Sequence, residues 1–596
     1  MQKKIILLIE SVISGRLFSK FRFLEKSFTL PGLTNIRHSY KLFSITERTI
    51  FMILAVVMFM TALLLGLKVN NEFLIEIPAT GGTINEGIVG TPRFINPVLA
   101  ISDADKDITA LVYAGLVTPD KNNEYKNLIA ESIDISSDGK TYFVHIKPNA
   151  EFHDKNPVTA DDILFTISKI KDPAIKSPRR ANWEGVEVEK IDNLTVNFHL
   201  KSPYAPFMEN LTLGILPKHL WEKVPSEEFP WSDLNLNAVG AGPYKVINVS
   251  RDSGGIPSSM QLTSFDKFVM GKPFITNITT SFFSNEAKAV SALISNDIDS
   301  LGGVSPENAG VLKNRGFRIE TAPLPRVFAL FFNQNKNKIL ADKNIRKALS
   351  LGIPKEEIIS NSLKGFAISV NGPVPVESVS GDSFDKRLML AGDILDKLGY
   401  KMSSSTNLRI KTTGKGKTLA STGIKFTIAT ADTPDLISVA HALESAYKKL
   451  GIEVSINIFE QGDLQQNIIR ERKYETLLFG EVVGRNLDLF PFWHSSERFD
   501  PGLNVALYAN SKADKLLDNL RRESNTSKQQ DILDSLLFEF NADYPAAFIY
   551  APKYIYVVPK GLKKVLLNTL NIGSERFLGV STWYKETNSV WKIFTN

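Results

Sequence analysis

The side chains best suited to proton transfer or metal ligation near neutral pH are the seven histidines: His38, His145, His153, His199, His219, His441 and His494. Their spacing supports neither task. No two stand at the helical spacing of a metal pair, and neither HExxH nor GxSxG occurs. The chain has no cysteine, which removes thiol nucleophiles and thiolate-held zinc. Gly414 to Thr418 (GKGKT) copies the end of a phosphate loop, but Lys411 stands where such a loop needs its first glycine. His153, in the run Phe152-His153-Asp154, is the most tempting base. Beside a turn and a helix start it is assigned a structural role. The pair Asp161-Asp162 is assigned to the first turn of a helix, where the dipole favours acids.

The elements around His153 follow from local pattern. Tyr142, Val144 and Ile146 alternate with Phe143, His145 and Lys147 at the period of a strand. Asp154, Asn156 and Pro157 break that period. Thr159 stands three residues before Asp162, the arrangement of a capping box, and predicts a helix start there. Ile163, Ile167 and Ile170 then give the helix one apolar face, and Asp172-Pro173 ends it.

At 596 residues the chain exceeds a single core, and 43% hydrophobic with 22% charged residues is ordinary for a globular protein. Thr49 to Leu67 (TIFMILAVVMFMTALLLGL) carries no charge and is bounded by Arg48 and Lys68, about the length that spans a hydrocarbon core. A cleaved signal peptide is the rival reading, but the preceding 48 residues are long for one and TALLLGLKVN offers a poor small-residue cleavage site. Residues 1–48 hold nine Lys and Arg against Glu10, Glu25 and Glu47, a surplus equal to the net +6 of the whole chain. The remainder is therefore neutral. Basic residues stay cytoplasmic, so the bulk is expected outside the cytoplasmic membrane, as a single-pass protein, and no nucleic-acid surface is implied. Ile5 to Phe28 mixes apolar and basic residues and suits either the inner leaflet or a solvated arm.

Beyond residue 80, helical and strand periods alternate. Thr433-Pro434 opens a helix whose apolar face is Leu436, Val439, Ala440, Leu443, Ala446, Tyr447 and Leu450; Lys448 and Lys449 suit its end and Gly451 closes it. IEVSINIF then alternates as a strand, which indicates α/β architecture. Ser403 to Gly423, rich in Ser, Thr, Gly and Lys, is expected as an exposed hairpin or loop.

Residues 139–165, GKTYFVHIKPNAEFHDKNPVTADDILF, resemble the signature of the family 5 extracellular solute-binding proteins, the oligopeptide and dipeptide receptors of ABC importers, except that Lys155 replaces a glycine. GTPRFINPVLA, VYAGLVTPD, GAGPYKV, LISNDID, FALFFN, NIRKALSLGIPKEEII, FPFWHSSE and DYPAAFIYAP match further family segments in the family's order. The resemblance implies a periplasmic-binding-protein-like α/β fold of class II, three-lobed and hinge-closing, preceded here by one N-terminal transmembrane helix. The expected parts are a basic segment 1–48, the transmembrane helix 49–67 and a juxtamembrane spacer 68–80. Lobe I would take 80–110, 236–325 and 546–596, lobe II 111–235, and lobe III 326–545. Relatives are often anchored through a lipidated cysteine; this chain has none.

The resemblance also implies a ligand between lobes I and III and no catalysis or cofactor. The partners would be a peptide or other small solute, an ABC permease with separate ATPase subunits, and the bilayer at 49–67, with the protein a monomer. In peptide-binding relatives a segment like GW…DPD supplies an acid that pairs with the peptide's terminal amine. Here the run is FGEVVGRNLDLFPFWHS, which keeps Gly480, lacks the tryptophan, and offers Glu481, Asn486 or Asp488. Asn96, Arg326 and Trp493 complete the expected ligand residues. A sensor or envelope-assembly protein of the same fold without import is the alternative, and a membrane-bound hydrolase a distant one.

Overall fold

The computed structural model describes residues 42–120, 124–378, 381–413, 420–523 and 525–594. The segment Ile5 to Phe28, His38 and the GKGKT run lie outside the described residues. The chain divides into two units, Met1–Ile77 with Asn588–Asn596, and Pro78–Thr587.

The first unit holds the apolar helix, Ile45–Phe73, which buries none of its residues and is long and apolar enough to cross a membrane. Ser44 caps it, its backbone N–H donating to Glu47 at 2.8 Å. Two boundaries need correction. Helix and then strand (Leu74–Pro78) occupy most of the stretch expected as a spacer, because nothing in Lys68 to Phe73 breaks the helical ladder. The last residues, expected in lobe I, group instead with this unit: Trp591 stacks on Phe73 at 6.0 Å and donates its indole N–H to Asn70 at 2.9 Å.

The second unit is built on one long mixed sheet. Its strand order is Glu453–Phe459, Lys425–Ala431, Thr476–Val482, Arg326–Phe332, Ala546–Val558, Ser300–Gly302, Thr83–Val89, Asn277–Phe283, Pro257–Ser264 and Tyr244–Arg251. The pivotal strand is Ala546–Val558. Its first half pairs with Arg326–Phe332 (Phe328 opposite Tyr550) and its second half with Arg318–Pro323 (Arg318 opposite Val558). Its near-continuous apolar sequence, AAFIYAPKYIYVV, is that of a strand covered on both faces. Leu324-Pro325 separates its two neighbours, so the sheet passes from one half of the unit to the other along two adjacent crossings. One core cluster draws only on residues between Val327 and Ala551; another runs from Ile84 to Val188 and on to Trp583, and does not separate the expected lobes I and II.

The α/β expectation holds locally. The helix Pro434–Lys449 buries the predicted face and leads to Glu453–Phe459, which lies parallel to Lys425–Ala431. The stretch Ser403 to Gly423 supplies most of a three-stranded antiparallel sheet whose tip is outside the described residues.

The signature stretch also folds as its pattern indicates. Strand Thr141–Ile146 buries Tyr142, Val144 and Ile146. Helix Ala160–Lys171 buries Ile163, Ile167 and Ile170. At its start the Asp162 carboxylate accepts from the Thr159 N–H and from the Thr159 hydroxyl, both at 2.8 Å, and from the Lys218 N–H at 2.8 Å. Thr159 is thus a donor to an acid, because a charge-assisted bond outcompetes a neutral cap. His153 accepts from the Gly240 N–H at Nδ1 (3.3 Å) and donates from Nε2 to the Gly242 carbonyl (3.0 Å). Burial lowers its pKa to about 4. Three signature segments meet here: a Cβ on Gly240 would stand 2.2 Å from the Val112 carbonyl oxygen, and one on Gly242 2.5 Å from the Val112 carbonyl carbon. His153 is structural, as assigned.

Sequence reasoning missed the buried tie between the chain's ends. Arg576 donates to Glu86 (2.9 Å) and Asp107 (2.7 Å), and the Tyr556 hydroxyl donates to Glu86 at 2.8 Å. The acids lie 490 and 469 residues from their arginine, and no local pattern announces such a pair.

Candidate functional site

The residues expected to bind ligand fall into three groups. The first is buried and committed to packing. Asn96, fully buried, donates to the Asn235 side-chain oxygen at 3.2 Å and accepts from the Val98 N–H at 2.9 Å. It holds a turn and offers no polar atom to a ligand. Trp493 is fully buried among Phe331, Tyr508, Phe540 and Phe548, with ring centroids 4.8–6.4 Å away. Glu481 lies on the strand Thr476–Val482 with its side chain in the same interior and only 3% exposed. Its oxygens make no hydrogen bond, and the Trp493 indole N–H, the polar group facing it, falls short of bonding geometry. Burial raises its pKa well above the usual carboxylate range, since desolvation disfavours the charged form. The local sequence disguised this, since an acid on a strand reads as an outward-facing one.

Asp488 forms the second group. Its carboxylate accepts from Arg521 Nη2 at 2.7 Å and Nε at 3.2 Å, with the Tyr204 hydroxyl 3.5 Å away. It is already neutralised and is not free to pair with an amine.

The third group is Asn486, Arg326 and Gly480, of which Asn486 borders open space. A cavity of about 630 Å³ lies between Tyr204, Pro206 and Glu209 on one wall and Gly484, Asn486, Asp488 and Arg521 on the other. The Asn486 side-chain oxygen stands there 3.3 Å from the Tyr125 hydroxyl, whose proton goes to Glu209. Beside the crossing between the two halves of the sheet, Arg326 opens its strand opposite Val482, and its buried Nε has no hydrogen-bond partner among the described residues. Gly480 pairs with Phe328, whose ring lies flat on Tyr550 at 4.8 Å; a Cβ on Gly480 would stand 2.7 Å from that ring. Glycine is needed there because the aromatic ring lies across the backbone.

Arg485, which the sequence did not single out, is the most engaged residue of this loop. Its guanidinium donates to Glu575 at 2.6 Å and to Glu209 at 3.3 Å, with 2% of the side chain exposed. Burial pushes Glu575 up to about 7, opposed by the Arg485 charge. A loop of the third expected lobe therefore meets residues of the other two through a desolvated polar cluster. This arrangement can recognise and enclose a polar solute; it aligns no nucleophile with a base.

Comparison with known proteins agrees with this geometry. The profile of "Bacterial extracellular solute-binding proteins, family 5 Middle" matches residues 124–498. Oligopeptide-binding protein AppA of Bacillus subtilis is 26% identical over 501 residues, covering 82% of this chain and 89% of that protein. The structure of AppA from Bacillus subtilis in complex with a nonapeptide is similar with a TM-score of 0.63 and 25% identity, over 85% of this chain and 99% of that one. NikZ from Campylobacter jejuni in complex with Ni(L-His) is similar with a TM-score of 0.64 and 26% identity, over 84% and 99%. With fold, signature and profile in agreement, the chain belongs to the family 5 bacterial extracellular solute-binding proteins.

Proposed function

We propose that this protein is a membrane-anchored extracytoplasmic receptor that binds peptides between its lobes and delivers them to an ABC permease driven by separate ATPase subunits. The observation that carries this reading is the strand Ala546–Val558, shared by both halves of the large sheet. Two cores joined by adjacent crossings can rotate about them with little repacking, and such hinge closure is selected by a ligand that contacts both sides. The nonapeptide in the AppA complex supports a peptide as that ligand. Arg326, with an unused donor beside the hinge, suits the peptide's carboxylate, and Asn486 borders its path. The helix Ile45–Phe73 holds the monomeric receptor at the cytoplasmic membrane.

Calorimetric titration of the detergent-released full chain with tri- to nonapeptides tests this, read beside small-angle scattering. Binding with a decrease in radius of gyration, weakened about tenfold or more by Arg326→Ala, supports the proposal. Absence of binding by any peptide length contradicts it.

A further inference from the structure

Arg485 rises from the turn between the strand Thr476–Val482 and the short helix Phe490–Trp493, a turn shaped by two left-handed residues, Gly484 (φ 70°) and Leu487 (φ 50°). The acids it reaches are held by their own neighbours. Asn571 donates its backbone N–H to Glu575 at 2.7 Å and its side-chain N–H to Glu209 at 2.9 Å. The Tyr125 hydroxyl donates to the other Glu209 oxygen. Three donors from outside the Arg485 loop thus set both carboxylates, and the receptor does not depend on the arginine that fills it. The Arg179 guanidinium, its pKa lowered by burial, feels both carboxylates without an ion pair to either, and tempers their repulsion if Arg485 withdraws.

The receptor's shape selects its occupant. A guanidinium offers several donors in one plane and spans two carboxylates at once, whereas an ammonium is a point donor. Arg485 uses its two terminal nitrogens in this way and leaves its buried Nε unpartnered. We propose that Glu209, Glu575 and Asn571 form a guanidinium receptor that the chain plugs with its own Arg485. Solutes bearing an arginine side chain take the same receptor when the lobe carrying Arg485 swings away. This inference rests on the reading of the cleft as the solute site. Because the plug is tethered, it competes at high effective concentration, and the wild-type chain discriminates weakly in favour of arginine.

The test uses the full chain in detergent with two small probes, Nα-acetyl-arginine amide and its uncharged counterpart Nα-acetyl-citrulline amide. Arg485→Ala is expected to bind the arginine probe at least about tenfold more tightly than the citrulline probe, while wild type shows a ratio near one. Adding Glu209→Gln to Arg485→Ala should erase the difference. A ratio near one in Arg485→Ala with near-ultraviolet circular dichroism unchanged overturns the inference. If that variant does not fold, Arg485→Lys, which keeps the charge and loses the fork, is read by melting. A larger upward shift with the arginine probe supports the receptor, and equal shifts overturn it. Peptides that bind wild type while the variants show no discrimination sink this inference alone. Absence of peptide binding in every form sinks the receptor reading beneath it.

Discussion

Arg521 clamps Asp488 through both Nη2, at 2.7 Å, and Nε, at 3.2 Å, and so neutralises an acid that the sequence offers as a partner for a peptide's terminal amine. With Glu481 buried and Asn486 uncharged, the run from Gly480 to Asp488 presents no free carboxylate to the cleft. Free and N-acetylated forms of one peptide should therefore bind within about threefold of each other, since a charge-assisted hydrogen bond would separate them by ~1.5 to 3 kcal/mol. Glu481→Gln should leave that ratio unchanged. Paired calorimetric titrations check this; a preference above tenfold for the free amine would show that an acid of this loop is released on binding.

His153 gives the fold a pH dependence with a defined sign. Its folded pKa is lowered to about 4 from the ordinary 6.5, so between those values the unfolded chain binds the extra proton and stability falls with falling pH. Measured against His153→Gln, the wild type should lose about 2 kcal/mol between pH 6.5 and 5. Chemical denaturation at both pH values reads the difference, and parallel pH profiles would show that the ring is not held neutral.

The helix start in the signature stretch should depend more on Asp162 than on Thr159. Asp162 accepts three bonds at 2.8 Å, one of them from the distant Lys218, whereas Thr159 contributes one hydroxyl. Asp162→Ala is expected to cost about 3 kcal/mol and Thr159→Ala about 1 kcal/mol. Melting and peptide titration of both variants check this. Reversal of the order, or lost peptide affinity with unchanged melting, would contradict a structural role.

The apolar helix should keep the protein on membranes. The full chain is expected to sediment with the membrane fraction, and a chain beginning at Asn71 to remain soluble and folded, because Ile45–Phe73 buries nothing. The mass of the mature protein decides whether the helix is retained. A mass lacking residues 1–67 would identify it as a cleaved signal.

What the sequence made legible was local. The helix start at Thr159, the apolar face from Leu436 to Leu450 and the uncharged run after Arg48 each depend on neighbours within a few turns, and each is found in place. Lys155 is a further local mark: it stands at φ 74° where the family signature has glycine, a left-handed position that disfavours a side chain by about 1 kcal/mol. Site residues were not legible in this way. Asn96 depends on Asn235, Asp488 on Arg521 and Arg485 on Glu209, partners 139, 33 and 276 residues away. The sequence shows an acid or amide in a motif, whereas its availability to ligand is decided by the distant partner.

The central claim is that the cleft encloses a peptide. Native mass spectrometry of the detergent-released full chain, incubated with a mixed peptide library and then exchanged into volatile buffer, tests it most directly. One peptide should be retained per chain and released on unfolding, with Arg326→Ala retaining less. A folded chain that retains no peptide, or that carries only a non-peptide solute excluding the library, would contradict it.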